Sequence, residues 1–379
     1  MSAARSSLAR TCLPGWAERA PSTGPLAVGI LPGEGIGPEV VGAALTVLDA
    51  VADTFGLEFR LSVADDLGPE GPHGPTLNDD VGCFFADRLD EGAPVLCGAV
   101  GGRFVYELRA RFDLYCKFVP VRPRPELADA SILRPERVHD VDVLVVRDNV
   151  GGLYQGAFGR RDGGRVAFQE AVYVADGVDR LLAVAVRAAQ VRRGRLAVVT
   201  KSGGIPELSA LWRERAELAA RGSGVEVEEV EVDNACFQLV ADPDRFDVVA
   251  TPNLLGDVVA DTAALVLGSR GLAVSANFGA EDHAVYQTGH GAAYDLAGTD
   301  RANPVAQIES LALMLRESFD LPIVGEVVHA AVTEVLRAGH RTADVAAPGS
   351  HVVGTRELAA RIAQAVPVVA ARVDAAPVP

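Results

Sequence analysis

The sequence lacks the features that identify several large classes of protein. Its 379 residues carry 35 Lys and Arg against 51 Asp and Glu, a net charge of −16. That charge argues against a nucleic-acid partner and leaves no basic face for an anionic membrane. No uninterrupted apolar run approaches the roughly 20 residues that a membrane span needs. The first 24 residues lack the apolar stretch of a secretory signal. We therefore expect a cytoplasmic protein without a nucleic-acid or membrane partner, in which residues 1–24 form a disordered extension.

Cysteine and lysine are both scarce. The five cysteines are odd in number and show no CxxC pairing, so neither a disulfide framework nor a zinc site is indicated. Only two of the 35 basic residues are lysine, Lys117 and Lys201. Because arginine supplies almost every other cation, a position that keeps lysine is a candidate for an amine that can lose its proton. Chance retention is the alternative.

Short β-branched runs alternate with helical patterns, which predicts an α/β protein with a largely parallel sheet. The segment 154–174 differs, because glycine turns separate its short β-prone runs. We interpret it as a β-hairpin arm and a candidate dimer contact. Strands are predicted at 26–31, 141–147, 194–201, 225–232 and 246–253, and helices at 38–55, 206–222 and 254–268.

The glycine-rich turn "LPGEGIGPEV" (31–40) follows the first predicted strand. A Rossmann dinucleotide fingerprint needs G-x-G-x-x-G and an acid at the end of the next strand. Here Pro38 stands at the third motif position, and no clear second strand with an acid follows. Pro38 and Glu39 instead suit the first turn of a helix. The Rossmann interpretation therefore fails, and a tight strand-to-helix turn is the simpler one.

The same string resembles the opening of the β-decarboxylating dehydrogenases, a family of isopropylmalate, isocitrate, homoisocitrate and tartrate/D-malate dehydrogenases. The resemblance extends from about Leu26 to Phe319. It implies a two-domain α/β fold of the isopropylmalate dehydrogenase type, non-Rossmann, with a β-arm for dimerisation. The implied division is a large cofactor-binding domain (25–115 plus 268–365), a small domain (116–267) and a C-terminal tail (366–379).

Paired carboxylates in "NLLGDVVADTAA" (253–264) are candidate metal ligands. Asp257 and Asp261 are four residues apart, which places both on one face of a helix. Carboxylate oxygens suit Mg²⁺ or Mn²⁺, whereas a solvated helix face is the alternative. Asp233 lies in "VDNACFQLV" (232–240), at the end of an alternating strand. The resemblance implies that all three aspartates bind a divalent metal.

Candidate catalytic and substrate-binding residues also match family motifs. Lys201 is the last residue of a predicted strand, where a lysine can act as a base if its pKa is lowered. The resemblance implies that Lys201 and Tyr154, in "GGLYQG", are catalytic. It implies that Arg109 and Arg147 clamp the substrate carboxylates, for which guanidinium geometry is suited. Without the family, a surface lysine and a packing tyrosine would be the simpler interpretations.

The cofactor motif comes late, in "HGAAYDLAGTDRANP" (290–304). It resembles the adenosine-binding loop of the family, with His290, Gly291, Asp295 and Asn303 at matching places. An acid at Asp295 accepts hydrogen bonds from ribose hydroxyls and repels a 2′-phosphate, which favours NAD over NADP. A glycine-rich surface loop is the alternative.

Together these motifs imply an NAD- and Mg²⁺/Mn²⁺-dependent oxidative decarboxylase of a 3-substituted malate, a small 2-hydroxy diacid. The family also implies a homodimer in which the neighbouring subunit donates Lys201 and Asp233 in trans. A specialised biosynthetic enzyme is our leading interpretation. Tartrate/D-malate oxidation is the alternative within the class, and a non-catalytic regulatory subunit or an anion-binding module is the alternative outside it.

Departures from the family bear on the substrate. Val119 replaces an arginine of the usual carboxylate clamp, and Lys117 or Arg122 is a candidate to compensate. Gln287 replaces a glutamate shortly before the cofactor loop. The segment "GGRFVYELR" (101–109), expected to hold the pocket for the C3 substituent, is shorter than in isopropylmalate enzymes.

Overall fold

The computed structural model describes residues 7–14, 16, 24–64, 74, 76–280 and 282–373. The helices are α1 Leu8–Cys12, α2 Gly37–Phe55, α3 Asp79–Asp90, α4 Phe104–Arg111, α5 Pro135–Val138, α6 Ala175–Gln190, α7 Pro206–Ala220, α8 Val232–Ala241, α9 Asn253–Leu267, α10 Val305–Glu317, α11 Pro322–Arg337 and α12 Thr355–Ala370. The strands are β1 Leu26–Leu31, β2 Phe59–Val63, β3 Val95–Cys97, β4 Cys116–Val121, β5 Val143–Asp148, β6 Phe158–Arg161, β7 Val166–Gln169, β8 Arg195–Thr200, β9 Glu226–Glu231, β10 Val248–Thr251, β11 Val274–Phe278, β12 Ala284–Thr288, β13 His340–Arg341 and β14 His351–Val352.

A ten-stranded sheet in the order β2-β1-β3-β12-β11-β4-β5-β10-β8-β9 runs through the molecule. Its two flanks are parallel, as the alternating pattern predicts, but the centre is antiparallel from β12 through β11 and β4 to β5. The two predicted domains each contain five adjacent strands of this order. The sheet is continuous across their boundary, where β11 pairs with β4, and the division itself stays a prediction.

The local signals place several elements accurately. Helix α2 begins beside Pro38, carries Glu39 in its first turn and ends at Gly56, whose φ of 65° is left-handed. Helix α9 likewise ends at left-handed Gly268. The predicted strand at 225–232 is shorter as β9 and lies at the sheet edge, where only Val230 is buried. Asp233 consequently lies in the first turn of α8 rather than at the end of a strand.

The glycines of the opening turn allow backbone segments to approach one another. A Cβ on Gly33 would lie 2.4 Å from the Ala99 carbonyl oxygen, and one on Gly35 would lie 2.0 Å from that of Ala292. Both residues also have positive φ. The segment is a turn between β1 and α2, as the simpler interpretation predicts, and it packs against two neighbouring loops.

The N-terminal extension differs from the disorder expected of it, as far as the structure describes it. Residues 8–12 form α1, and Trp16 is only 2% exposed, with its ring 5.1 Å from that of Phe278. The Ser7 hydroxyl donates to Glu317 of α10 at 2.7 Å. Arg187 of α6 donates to the Cys12 carbonyl at 2.6 Å. Residues 1–6, 15 and 17–23 lie outside the described residues.

The C-terminal tail also begins later than predicted. Helix α12 continues to Ala370, with Pro367 inside it, so residues 366–370 belong to a helix that packs on α2 and α11. Residues 374–379 lie outside the described part.

Strands β6 and β7 form an antiparallel hairpin separate from the main sheet, at the position predicted for the arm. Phe158 and Val166 are 49% and 40% exposed on it. Within the described residues, no helix is both long and apolar enough to cross a membrane.

A partly buried ion cluster joins α10 and α11 to the segment after β4. Arg124 donates to Glu309, and the ring of His329 lies 3.2 Å from the same carboxylate. Burial would raise the pKa of Glu309, but the charges of His329 and Arg124 outweigh it and lower that pKa to about 2.

Candidate active site

Three of the predicted functional residues meet where β5 ends and α9 begins. The buried Arg147 guanidinium donates to Asp257 and, at 2.9 Å, to the side-chain oxygen of Asn253. The Tyr154 hydroxyl donates to the other Asp257 oxygen at 2.9 Å. The order of parallel strands β5 and β10 creates this meeting, because Arg147 is paired in register with Thr251 just before α9.

The electrostatics of this cluster keep Asp257 ionised. Burial would raise its pKa, but Arg147 and the Tyr154 hydrogen bond outweigh that effect and lower it. Burial and the Asp257 charge raise the pKa of Tyr154, so its phenol keeps its proton. The cluster therefore contains a carboxylate, a cation and a phenol that can donate a proton.

Two more cations lie beside it. Lys117 in β4 is directly opposite Arg147 in the antiparallel β4–β5 pair and is 6% exposed. Arg109 in α4 is equally buried, and burial together with the Arg147 charge lowers its pKa to about 10. The ring of Tyr106 bridges this side of the site, since its centroid is 5.8 Å from the Arg109 guanidinium and 4.9 Å from the Tyr154 ring.

The structure distinguishes the two candidates for compensating Val119. Val119 is buried in the apolar core and paired with Val145. Arg122 donates to Asp142 at 2.7 Å, beyond the far end of β4. Lys117, by contrast, is two residues before Val119 on the same face of the strand and adjoins Arg147. Of the two candidates, Lys117 is the one in the site.

Lys201 and Asp233 lie in a separate cluster at the sheet edge. The Lys201 ammonium is 2.8 Å from Glu231 and 3.0 Å from Asp233. Hydrogen bonds to Glu231 and Asp233 raise the pKa of Lys201. Lys201 follows β8, two strand spacings from β5, and Asp233 follows β9, three spacings from it. These separations are roughly 10 and 14 Å across the sheet. A single chain therefore does not bring Lys201 and Asp233 to Arg147.

The three predicted metal ligands are likewise divided. Asp257 and Asp261 lie one turn apart on α9, and Asp261 accepts from Arg270 at 2.6 Å. Among the described residues, no group of three His, Cys, Asp or Glu side chains is arranged to hold a metal ion. The two α9 carboxylates have the oxygen chemistry of an Mg²⁺ or Mn²⁺ site, but the site needs a ligand from elsewhere.

The predicted cofactor loop follows β12 and contacts the glycine turn, where the Ile36 amide donates to the Ala292 carbonyl at 2.8 Å. His290 has a buried Nε2 with no hydrogen-bond partner among the described residues, and burial lowers its pKa. Asn303 donates to Asp344 at 3.1 Å. Asp295 is exposed, and the space beside Gly291 is open. An unpartnered buried imidazole nitrogen and an exposed acid fit a polar ligand at this loop.

The comparisons with known proteins agree with this geometry. The sequence profile of the isocitrate/isopropylmalate dehydrogenase family matches residues 27–362. The chain belongs to this family. It is 38% identical to a 3-isopropylmalate dehydrogenase of Gloeobacter violaceus, over 87% of this chain and 95% of that protein. A 3-isopropylmalate dehydrogenase of Pseudomonas fluorescens is also 38% identical, with the same coverage.

The solved structures give the same result. The crystal structure of isocitrate dehydrogenase from Methylococcus capsulatus superposes with a TM-score of 0.77 at 28% identity, covering 90% of this chain and 99% of that one. The predicted family and its α/β fold are confirmed, whereas the dimer role of the arm stays a prediction. The chain is an oxidoreductase of the isopropylmalate dehydrogenase type.

Sequence reasoning missed several residues that build the site of this family member. Asn253 is fully buried and donates to the Gly151 carbonyl at 3.1 Å. The Tyr173 hydroxyl accepts from the Asn253 amide at 2.8 Å. Burial raises the pKa of Asp148, beside Arg147, to about 6. A polar residue at the point where a buried strand passes into a helix, such as Asn253, was the available signal.

Proposed function

We propose that this enzyme catalyses the NAD⁺- and Mg²⁺/Mn²⁺-dependent oxidative decarboxylation of a 2-hydroxy diacid, a malate substituted at C3. The observation that carries the proposal is the meeting of Arg147, Asp257 and Tyr154 beside the buried cations Arg109 and Lys117. The relatives named 3-isopropylmalate dehydrogenases support the same substrate class.

The charges of the site favour a dianionic substrate. Arg109 and Arg147 present guanidinium groups, which bind carboxylates through paired hydrogen bonds. Asp257 is the one acid within hydrogen-bond distance of Arg147 among the described residues. A substrate with two carboxylates balances the remaining positive charge in a region from which water is largely excluded.

The α9 carboxylates would hold the metal. Asp257 and Asp261 supply two ligands on one helix face, and Asp233 of a second copy would supply the third. When bound, a divalent cation acidifies the C2 hydroxyl of a chelated hydroxy acid. In the single chain, Arg147 and Arg270 neutralise these two aspartates, and we expect the metal to take over that role.

Two side chains of the protein would transfer protons during the reaction, Lys201 as a base and Tyr154 as an acid. Lys201 of the second copy would accept the C2 hydroxyl proton. NAD⁺, when bound, would supply the acceptor for the hydride at C2. The bond from C3 to its carboxylate then breaks, CO₂ leaves, and the electron pair remains on the substrate. Tyr154 would give its proton to C3, yielding a 2-oxo acid and NADH. The raised pKa of Tyr154 suits a group that must be protonated until that step.

Loop 290–303 would bind NAD⁺. His290 has a buried, unpartnered nitrogen for a polar group of the cofactor. Asp295 is exposed where a ribose would need an acceptor. An acid at this position disfavours a 2′-phosphate, which supports NAD rather than NADP.

We infer a homodimer because, within one chain, Lys201 and Asp233 lie roughly 10 and 14 Å across the sheet from Arg147. Exposed apolar residues offer surfaces for such a dimer. They are Phe158 on the hairpin, Phe237 on α8, and Val258 and Leu265 on α9.

The test is NADH production at 340 nm with purified protein, NAD⁺ and Mn²⁺. The panel is malate, tartrate, isopropylmalate, isocitrate and homoisocitrate, each also measured with chelator. We expect turnover of one substrate, lost with chelator and in Lys201→Ala. Turnover of tartrate or malate alone would assign the alternative substrate within the class. NAD⁺ binding without turnover of any substrate would contradict the proposal and favour a non-catalytic subunit.

Mixing inactive variants tests donation in trans. Lys201→Ala and Tyr154→Phe would each be inactive alone. When the two are unfolded and refolded together, half of the dimers would be mixed, and each mixed dimer would hold one intact site. Recovery of about a quarter of wild-type activity is therefore expected, and no recovery would refute donation in trans.

A further inference from the structure

Lys117 is a largely buried lysine that forms no ion pair within the described part of the chain. It is 6% exposed within β4. Among the described residues, no carboxylate lies within ion-pairing distance of its ammonium and no side chain accepts a hydrogen bond from it. Burying an ammonium without a partner is costly, so this position calls for an explanation.

The surroundings make that cost larger. Lys117 is opposite Arg147 in the β4–β5 register, and Arg109 is the other buried cation nearby. The nearest acid, Asp257, is already engaged by Arg147 and Tyr154. Burial, Arg109 and Arg147 lower the pKa of Lys117 well below its usual range. The charges of Asp257 and Asp261 offset only part of this lowering. An arriving anion would offset the repulsion from Arg109 and Arg147 and so favour the charged ammonium.

A packing role does not explain the residue. The neighbouring β4 positions Cys116, Phe118, Val119 and Val121 are apolar and buried, so an apolar side chain would suit position 117. The chain otherwise uses arginine for 33 of its 35 cations. A compact ammonium has been kept at this buried position instead, next to the substrate-binding residues proposed above.

We propose that Lys117 is a substrate-binding residue that anchors, together with Arg109, one carboxylate of the 2-hydroxy diacid and so helps to determine specificity. This inference rests on the proposed function. Lysine offers a point charge on a flexible stem, whereas arginine offers a planar fork. The anchored carboxylate is therefore held at one oxygen by Lys117, which leaves its other oxygen to Arg109.

The test uses Lys117→Met, which keeps the stem length and removes the charge. Binding of malate and isopropylmalate is measured by calorimetry with Mn²⁺, and NAD⁺ binding is measured separately. We expect the Kd of the bound diacid to rise roughly 10- to 150-fold, the loss typical of a charge-assisted hydrogen bond. The Kd of NAD⁺ should not change. Lys117→Arg should recover part of the affinity, and KM should rise more than kcat falls.

Stability separates this role from a structural one. Because the ammonium forms no ion pair with a described residue, Lys117→Met should keep or raise the Tm. The control is Arg122→Met, which removes a cation beyond the end of the same strand and should leave diacid affinity unchanged. An unchanged diacid Kd in Lys117→Met would overturn the inference. A lower Tm with matching losses of diacid and NAD⁺ affinity would also overturn it.

The two proposals fail in different ways. If the wild-type protein binds a diacid through Lys117 but produces no NADH, the proposed function is contradicted and the role of Lys117 in carboxylate binding is retained. If the wild-type protein turns over a diacid and Lys117→Met has the same KM, the role of Lys117 in carboxylate binding is contradicted and the proposed function is retained. Wild-type protein that binds neither malate nor isopropylmalate contradicts the role of Lys117 itself.

Discussion

Replacing Gly256 with alanine should destabilise the protein, although it removes a glycine from the interior of a helix. Gly256 lies in the first turn of α9, next to Asp257, and is buried. A Cβ there would lie 2.7 Å from Cγ of Arg147 and 2.6 Å from Cγ2 of Thr251. The absence of a side chain at this position is what allows Arg147 to pass beneath the helix.

The magnitude follows from two opposing effects. Helix propensity alone favours alanine by up to about 1 kcal/mol. The new contacts are about 1 Å shorter than an ordinary carbon contact. Neither the Arg147 Cγ nor the Thr251 methyl group is the mobile end of a flexible side chain, so neither can move aside easily. The Arg147 stem is held at one end by β5 and at the other by Asp257 and Asn253. Overpacking of this kind costs roughly 1–3 kcal/mol, so we expect a net loss of about 1–2 kcal/mol.

Urea unfolding and substrate kinetics measure the two consequences together. Displacing Arg147 by about 1 Å should lower kcat/KM by around 100-fold. The matched control is Gly42→Ala in α2, an exposed helical glycine with open space around its Cβ position, which should stabilise by up to about 1 kcal/mol. If Gly256→Ala gains stability as the control does and keeps its kinetics, the close packing of Arg147 against α9 is wrong.

Three further predictions concern other parts of the chain. The pKa of Glu309 is lowered to about 2 from 4.5 by its two cationic neighbours, against the effect of burial. Its ionised form therefore stabilises the fold at neutral pH by at most about 3 kcal/mol, and this is lost as pH falls from about 4.5 towards 2. In Glu309→Gln the fall of Tm between about pH 4.5 and pH 2 should be smaller than in the wild type. An equal fall would show that protonation of Glu309 does not cause it. Burial raises the pKa of Cys97 to about 12, so mass spectrometry after iodoacetamide treatment should find exposed Cys83 alkylated and Cys97 intact. Trp16→Ala should cost about 3–5 kcal/mol in urea unfolding, whereas a cost near zero would mean that the extension does not support the fold.

The sequence predicts the fold well where signals are local. Pro38 with Glu39, and the glycines at 56 and 268, mark helix boundaries within a few residues. The alternation of strands and helices predicts the parallel flanks of the sheet. The antiparallel centre has no such signal. It consists of two pairs of consecutive strands, β4 with β5 and β11 with β12, and the β4–β11 pairing that joins them connects segments about 150 residues apart.

The site was harder to predict for the same reason. The segment between Phe246 and Arg270 contains no basic residue to neutralise Asp257, which made that aspartate conspicuous in the sequence. Its partner, Arg147, comes from a strand 110 residues earlier. That Lys117 forms no ion pair with a described acid is equally invisible in the sequence, because it depends on the residues that β5, α4 and α9 place around the start of β4.

The family motif and the position of Lys201 in the sheet point to different locations for this residue. The motif assigns it to the same reaction as Tyr154, whereas the sheet order puts β8 and β9 at the edge and Lys201 in contact with Asp233 and Glu231. Both statements hold if the catalytic set is completed between two chains, because a residue at the edge of one sheet is accessible to a second copy. A lysine held by two acids is also a poor base, since those acids raise its pKa. Drawing Asp233 towards a shared metal would remove one of them, so the step that completes the metal site would also make Lys201 easier to deprotonate.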